Sequence, residues 1–234
     1  ARVEQSADQI LDELSQLSEF DVVKDYAMRL SSESLKIVSG LEQASWQEMD
    51  HWSQSMIDGV ANYAGVPETE ATCLAATKAI DDAITQRMPM IDPQSDKSLL
   101  GTLLASGMSE YSVRANIKLA ISGGQNEQRD AISGCIWALL KHPDQLEMVQ
   151  SGDAKWSSVF DEYCRWIAPI GMSPRRINQA HTYNGIDFEP EKRAFLMFAS
   201  ANRDEDGFTH PEALEITQGS SKSIAFGAGP HFCA

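Results

Sequence analysis

Phe226-Gly227-Ala228-Gly229-Pro230-His231-Phe232-Cys233-Ala234 is the stretch on which the reading of the fold turns. Gly227 and Gly229 let the backbone take dihedrals that a side chain forbids, and let it approach a flat ligand closely. Cys233 then stands at the end of a turn, where backbone donors around a sulfur would set its basicity as a metal ligand. Phe226 offers a ring to pack beside that sulfur, and His231 a polar side chain two residues before it. Read by its residues alone, the stretch is either a built ligand loop or a glycine-rich surface turn next to an unreactive cysteine.

Composition narrows the classes. The chain has 234 residues, 42% of them hydrophobic, which is enough to bury a sizeable core. Lys and Arg number 19 against 34 Asp and Glu, a formal charge of -15. Such an excess disfavours nucleic acid and anionic membrane surfaces as partners and fits a soluble acidic protein. No apolar run approaches a membrane span, and the first residues carry no signal-peptide pattern. Cys73, Cys135, Cys164 and Cys233 lack any CxxC or zinc-type spacing, so free thiols in a reducing cytoplasm are expected. His51, His142, His181 and His210 share no metal-ligand spacing either.

Most of the chain reads as helix. Apolar residues at three- and four-residue spacing predict helices over Ile10–Phe20, Val22–Ile37, Gln43–Tyr63, Thr69–Arg87 and Leu99–Ala105, with Asp21 as punctuation and a loop over Met88–Asp96. One long helix is expected from about Ser109 to Lys141, stopped by His142-Pro143. Its centre reads Gly123-Gly124-Gln125-Asn126-Glu127-Gln128-Arg129-Asp130. Two glycines there cost about 1 kcal/mol each against alanine, so either something approaches the backbone or the glycines divide two helices. Short helices follow over Pro143–Val149 and Trp156–Ile167. Short strands are expected over Arg175–Ala180, His181–Tyr183, Ile186–Phe188 and Ala194–Phe198, with Asn184-Gly185 as a hairpin turn. An irregular polar segment, Asn202–Ser223, leads to the closing stretch. The fold class is therefore mainly α with a small β-sheet.

The closing nonapeptide resembles the haem-binding loop of the cytochromes P450, and the order of the other signals is similar to that family throughout. Glu162-Tyr163-Cys164-Arg165 resembles the K-helix E-x-x-R, whose Glu and Arg form a buried network beneath the cofactor. Ala201-Asn202-Arg203-Asp204 resembles the entry to the following meander in bacterial members. The glycine-interrupted helix resembles the I helix, and Ser18-Glu19-Phe20-Asp21-Val22-Val23 the approach to the helix after D. The resemblance implies haem b (iron protoporphyrin IX), with Cys233 as the axial thiolate. Phe226, Gly227 and Gly229 would shape its loop, His231 and Arg176 would hold propionates, and Gly123 and Gly124 would pass close to the ring. It further implies a ferredoxin-type electron donor with its reductase, and dioxygen activation.

Anchored on Arg129-Asp130, Asn126 falls at the family's acid position and Glu127 at its threonine position. This G-G-x-N-E-x-R-D form is similar to that of a minority of bacterial members, some of which O-demethylate methoxylated aromatics. Glu127 would be the proton relay and Asn126 would hold water, although by residue type alone both are also ordinary solvated groups on a turn. Leu119, Gly123 and Ile170 are the pocket residues the resemblance suggests for a small organic substrate. The resemblance runs from about the family's D helix to the cysteine loop, so residues 1–234 are expected to be a partial domain without the N-terminal third and the L helix. Two functions follow: a haem-thiolate monooxygenase, or a non-catalytic fragment serving as a structural or interaction module.

Overall fold

Ser45, Ser98 and Ser109 each start a helix in the computed structural model, which describes residues 2–219 and 221–233, His231 by its backbone alone. The Ser45 hydroxyl accepts the Glu48 N–H at 3.2 Å while the Glu48 carboxylate accepts the Ser45 N–H at 2.8 Å, a reciprocal cap. Ser98 and Ser109 accept the N–H groups of Gly101 and Ser112, each at 3.2 Å. Such caps each contribute about 1 kcal/mol and fix where α3 (Trp46–Val60), α5 (Leu99–Ala105) and α6 (Glu110–Ser122) begin. α4 (Pro67–Arg87) starts at its proline, two residues before the expected Thr69, because a missing N–H is harmless in the first turn.

The described residues group into two compact units, 1–133 and 134–234. The first holds α1 (Arg2–Leu14), a π-helical turn (Val22–Ala27) running into α2 (Met28–Ser39), then α3 to α6 and the start of α7 (Asn126–Lys141). Met49, Trp52 and Met56 of α3, Ile80 and Ile84 of α4, Leu100 and Leu103 of α5, and Val113, Ile117 and Ile121 of α6 form one buried core. Each fully buried aliphatic side chain there contributes about 1.5–3 kcal/mol. Asp21 starts the π-helical turn by accepting the N–H groups of Val23 and Lys24.

The single long helix is not formed. α6 ends at Ser122 and α7 begins at Asn126, with Gly123, Gly124 and Gln125 between them. Gly123 needs no glycine-only dihedral, at φ −105°. Gly124 is the constrained one: a Cβ there would sit 2.6 Å from the Ala120 carbonyl oxygen and 3.2 Å from Leu35 Cδ1. The chain breaks where backbone meets backbone.

The second unit continues with α8 (Pro143–Ser151) and α9 (Trp156–Ile167), packed through Leu139, Val149, Val159 and Ile216 and through Ala138, Tyr163, Cys164 and Leu214. The expected single sheet is two separate antiparallel ribbons: β1 (Ser173–Arg176) with β4 (Arg193–Leu196), and β2 (His181–Tyr183) with β3 (Ile186–Phe188). Asn184 and Gly185 turn the second ribbon with φ of 48° and 76°, the pair of positive values a two-residue turn demands. Phe198, expected to end a strand, instead opens α10 (Phe198–Ala201). Among the described residues no helix is long and apolar enough to cross a membrane.

Candidate functional site

Among the described residues Arg165 is the largest fully buried side chain, at 0% exposure, and Glu162 one turn earlier on α9 is 2% exposed. Burying an ion pair is costly unless every donor and acceptor is met. Here they are. Arg165 Nε and Nη2 donate to the two Glu162 carboxylate oxygens, both at 2.7 Å. The remaining hydrogens go to main-chain carbonyls of the irregular segment: Asn202 at 2.9 Å, Pro211 at 2.8 Å and Ala213 at 2.7 Å. Glu162 Oε1 also accepts the Glu215 N–H at 2.8 Å and the Gln218 side-chain amide at 2.9 Å. The Arg165 guanidinium lies 5.1 Å from the centroid of the Phe208 ring. A segment without helix or sheet is thereby given a fixed course by one helix face.

That course leads to the cysteine. The fully buried Asn202, whose carbonyl Arg165 holds, accepts the Ile224 N–H on its side-chain oxygen at 2.8 Å. The Ile224 carbonyl accepts the Gly227 N–H at 2.9 Å, and the Phe226 carbonyl accepts the Cys233 N–H at 3.0 Å, closing the loop on itself. Gly227 and Gly229 both have φ of 74°, the left-handed region where a side chain is strained, so glycine is the residue this backbone accepts. Phe226 packs between Phe160 and Phe232, with centroids 6.0 Å and 6.3 Å away. Asn202 is the positioning residue that sequence reading undervalued; it was visible only as part of a four-residue resemblance.

The four cysteines separate by environment, and none is in a disulfide. Burial pushes the Cys164 thiol up to about 12, helped by neighbouring Cys135 and Asp161, and burial pushes Cys135 up to about 11. Both stay protonated at neutral pH and are poor ligands. Cys233 is exposed. A soft sulfur donor at the end of a glycine-shaped loop that also carries the exposed rings of Phe226 and Phe232, at 39% and 60% exposure, suits a flat group carrying a soft or borderline metal. The residues present fit haem.

The other expected site residues lie as follows. Arg176, at the end of β1, pairs with Glu191 at 2.5 Å on an exposed surface. Exposed pairs of this kind contribute about 0–1 kcal/mol. The side chain of His231 lies outside the described residues. At the α6–α7 break, Asn126 is partly buried and donates to Gln54 Oε1 at 3.3 Å, whereas Glu127 and Gly123 are exposed and Gly124 is partly buried. Leu119 and Ile170 are exposed. These belong to different compact units: the break to the first, and Arg176, Ile170 and the cysteine loop to the second.

No family model matches the chain. Curated relatives do, over nearly all of it. Cytochrome P450 107B1 of Saccharopolyspora erythraea is 25% identical across 99% of this chain and 57% of its own length. The steroid C26-monooxygenase of Mycolicibacterium smegmatis is 27% identical across 97% and 57%. Vitamin D(3) 25-hydroxylase of Pseudonocardia autotrophica is 26% identical across 99% and 57%. Among solved structures, P450BioI in complex with an acyl carrier protein bearing hexadec-9Z-enoic acid superposes with a TM-score of 0.86 at 21% identity, and Bacillus subtilis PksS with 0.85 at 24%. The chain covers 60% of each of those two structures, so it spans less than two thirds of the relatives it matches.

Proposed function

The chain is homologous to bacterial cytochromes P450 over nearly its whole length, and from that premise we propose that it is part of a haem-thiolate monooxygenase. Its cofactor is haem b, which when bound supplies the iron at which dioxygen is activated. Cys233 is the thiolate ligand, Gly227 and Gly229 give its loop the turn, and Phe226 packs beside the sulfur. Arg176 and His231 would hold the propionates of the haem. Glu162 and Arg165 fix the segment that presents the loop. By the resemblance alone, Gly123 and Gly124 would pass close to the cofactor.

At the α6–α7 break, Asn126 holds water and the exposed Glu127 carries protons from solvent. The donor of electrons is a ferredoxin-type protein with its reductase, and the setting is cytoplasmic. The substrate is a small organic molecule that is hydroxylated or dealkylated, and Gly123-Gly124-Gln125-Asn126-Glu127-Gln128-Arg129-Asp130 favours a methoxylated aromatic. One observation carries the reading: an exposed cysteine ends a loop that two positive-φ glycines shape and the Glu162–Arg165–Asn202 clamp positions.

The test is the carbonyl complex of the reduced, haem-reconstituted protein. A strongly red-shifted Soret band that disappears in Cys233→Ser is expected. An unshifted band, or a protein that takes up no haem, overturns the reading in favour of a non-catalytic module.

A further inference from the structure

Arg176 of β1 and Arg193 of β4 are register partners, so they leave the same face of their ribbon directly opposite each other. Residues so placed have Cβ atoms about 4.5–5.5 Å apart, and like charges there repel. Both arginines are exposed. Their cationic neighbours are engaged elsewhere. Arg175 stands on the other face, opposite Ala194, and its Nη1 donates to Ser173 Oγ at 2.6 Å and to the Pro174 carbonyl at 2.9 Å. Lys192 pairs with Glu189 at 3.7 Å. Arg193 has no acidic partner among the described residues.

One carboxylate answers these two guanidinium groups. Glu191 meets Arg176 at 2.5 Å, with most of both side chains exposed. Its backbone has φ of 66°, in the left-handed region that a residue other than glycine rarely takes. The turn is fixed to the residue that follows Arg176: the Glu191 N–H donates to the Ile177 carbonyl at 2.8 Å, and the Ile177 N–H donates to the Lys192 carbonyl at 2.9 Å. A charged side chain kept in a conformation that suits glycine marks a place where its carboxylate has a use.

Two opposed guanidinium forks match the planar geometry of a carboxylate, and one shared anion offsets their repulsion. We propose that Arg176 and Arg193 form a carboxylate-binding pair that Glu191 itself occupies, so that Glu191 is an internal competitor for a ligand's carboxylate. The contact is autoinhibitory: a ligand gains the arginines only as Glu191 gives them up. The inference rests on the proposed function for the name of that ligand, a haem propionate. The pair and its competitor are read from one ribbon of the second compact unit.

Glu191→Gln removes the charge and keeps the side chain's size, and Glu189→Gln, which frees Lys192 instead, controls for net charge. In the haem-free chain at low ionic strength, phenylglyoxal should label Arg176 about two- to fivefold faster in Glu191→Gln than in the parent, since an exposed ion pair shifts an equilibrium by about fivefold at most. Succinate should then slow the labelling of Arg176 and Arg193 together in that variant, where sodium chloride of equal ionic strength does not. Labelling that Glu191→Gln leaves unchanged, the same acceleration in Glu189→Gln, or no joint protection by succinate overturns the proposal. A second arm identifies the ligand. Haem affinity, read by quenching of tryptophan fluorescence, should rise about two- to fivefold in Glu191→Gln and fall by a similar factor in Arg193→Gln. Haem dimethyl ester, which has no carboxylates, should bind all three proteins alike. Equal haem affinities overturn the propionate assignment. A chain that takes up no haem defeats the proposed function, while the succinate arm still decides whether the pair exists.

Discussion

Replacing Arg165 with leucine removes five hydrogen bonds at once: two to Glu162 and one each to the carbonyls of Asn202, Pro211 and Ala213. The larger effect is on what remains. Glu162 is left at 2% exposure with only the Glu215 N–H and the Gln218 amide to meet its carboxyl group. Breaking a fully buried pair from one side costs about 3–5 kcal/mol. The three stranded carbonyls add to that, less than additively, since the released segment gains water as it loosens. For a domain of this size about 3–5 kcal/mol lowers the thermal midpoint by roughly 6–20 °C. Arg165→Lys should fall between, because one ammonium with three hydrogens cannot serve five acceptor contacts. The decisive variant is the double change of Glu162 and Arg165 to leucine, which removes both charges. It should be more stable than Arg165→Leu alone, giving a coupling free energy of at least about 1 kcal/mol in a urea double-mutant cycle. An Arg165→Leu loss under about 1 kcal/mol, or additive single and double variants, would refute the claim that this pair holds the segment in place.

Asn202→Ala takes the acceptor from the Ile224 N–H and should cost about 1–2 kcal/mol by urea unfolding, with faster hydrogen exchange at Ile224 and Gly227 than at residues of α9. Gly124→Ala should destabilise by about 1–3 kcal/mol because its Cβ would lie 2.6 Å from the Ala120 oxygen, while Gly123→Ala, with Leu119 O at 3.4 Å, should be neutral or slightly stabilising in the same melts. Iodoacetamide at mild alkaline pH should label Cys233 well before Cys135 or Cys164, whose thiols burial holds near 11 and 12; comparable labelling of Cys164 in the folded protein, read by mass spectrometry, would contradict that burial. The Ser45 N–H and hydroxyl hold the Glu48 carboxyl below the usual carboxylate range. A folded value below the unfolded one stabilises at neutral pH and is lost as pH falls through about 4 and lower, so Glu48→Gln should flatten the acid limb of a stability–pH curve.

What the sequence made legible divides by how local its cause is. α5 and α9 have the expected boundaries, and so does the β2–β3 ribbon, because Asn184 and Gly185 carry their own turn chemistry. α1 extends back to Arg2, where its first turns are polar and exposed and so carried no apolar period. β1 lies two residues before its expected start because its partner β4 sets the register, pairing Ser173 with Leu196 and Arg176 with Arg193. The helix break was undecidable from periodicity. Val113, Ile117 and Ile121 keep their spacing up to the glycines, and what divides α6 from α7 is the crowding of Gly124 against Ala120 and Leu35.

The candidate site follows the same rule. Glu162 and Arg165 were readable as a pair, since one turn of helix brings them together. Their other partners were not, because Arg165 reaches three main-chain carbonyls 37 to 48 residues further on, and a carbonyl has no side-chain identity to read. The same blindness hid Asn202, whose side chain serves the Ile224 N–H and whose carbonyl serves Arg165. Charged clamps of this kind specify a course for irregular backbone more than they stabilise it, since a hydrophobic pair could bury as much area. It follows that the Glu162, Arg165 double leucine variant, though more stable than the single one, should still lose the ordered path from Asn202 to Cys233. Protected amide exchange at Ile224, Gly227 and Cys233 in that variant would show that the loop holds itself, and that the clamp is dispensable to it.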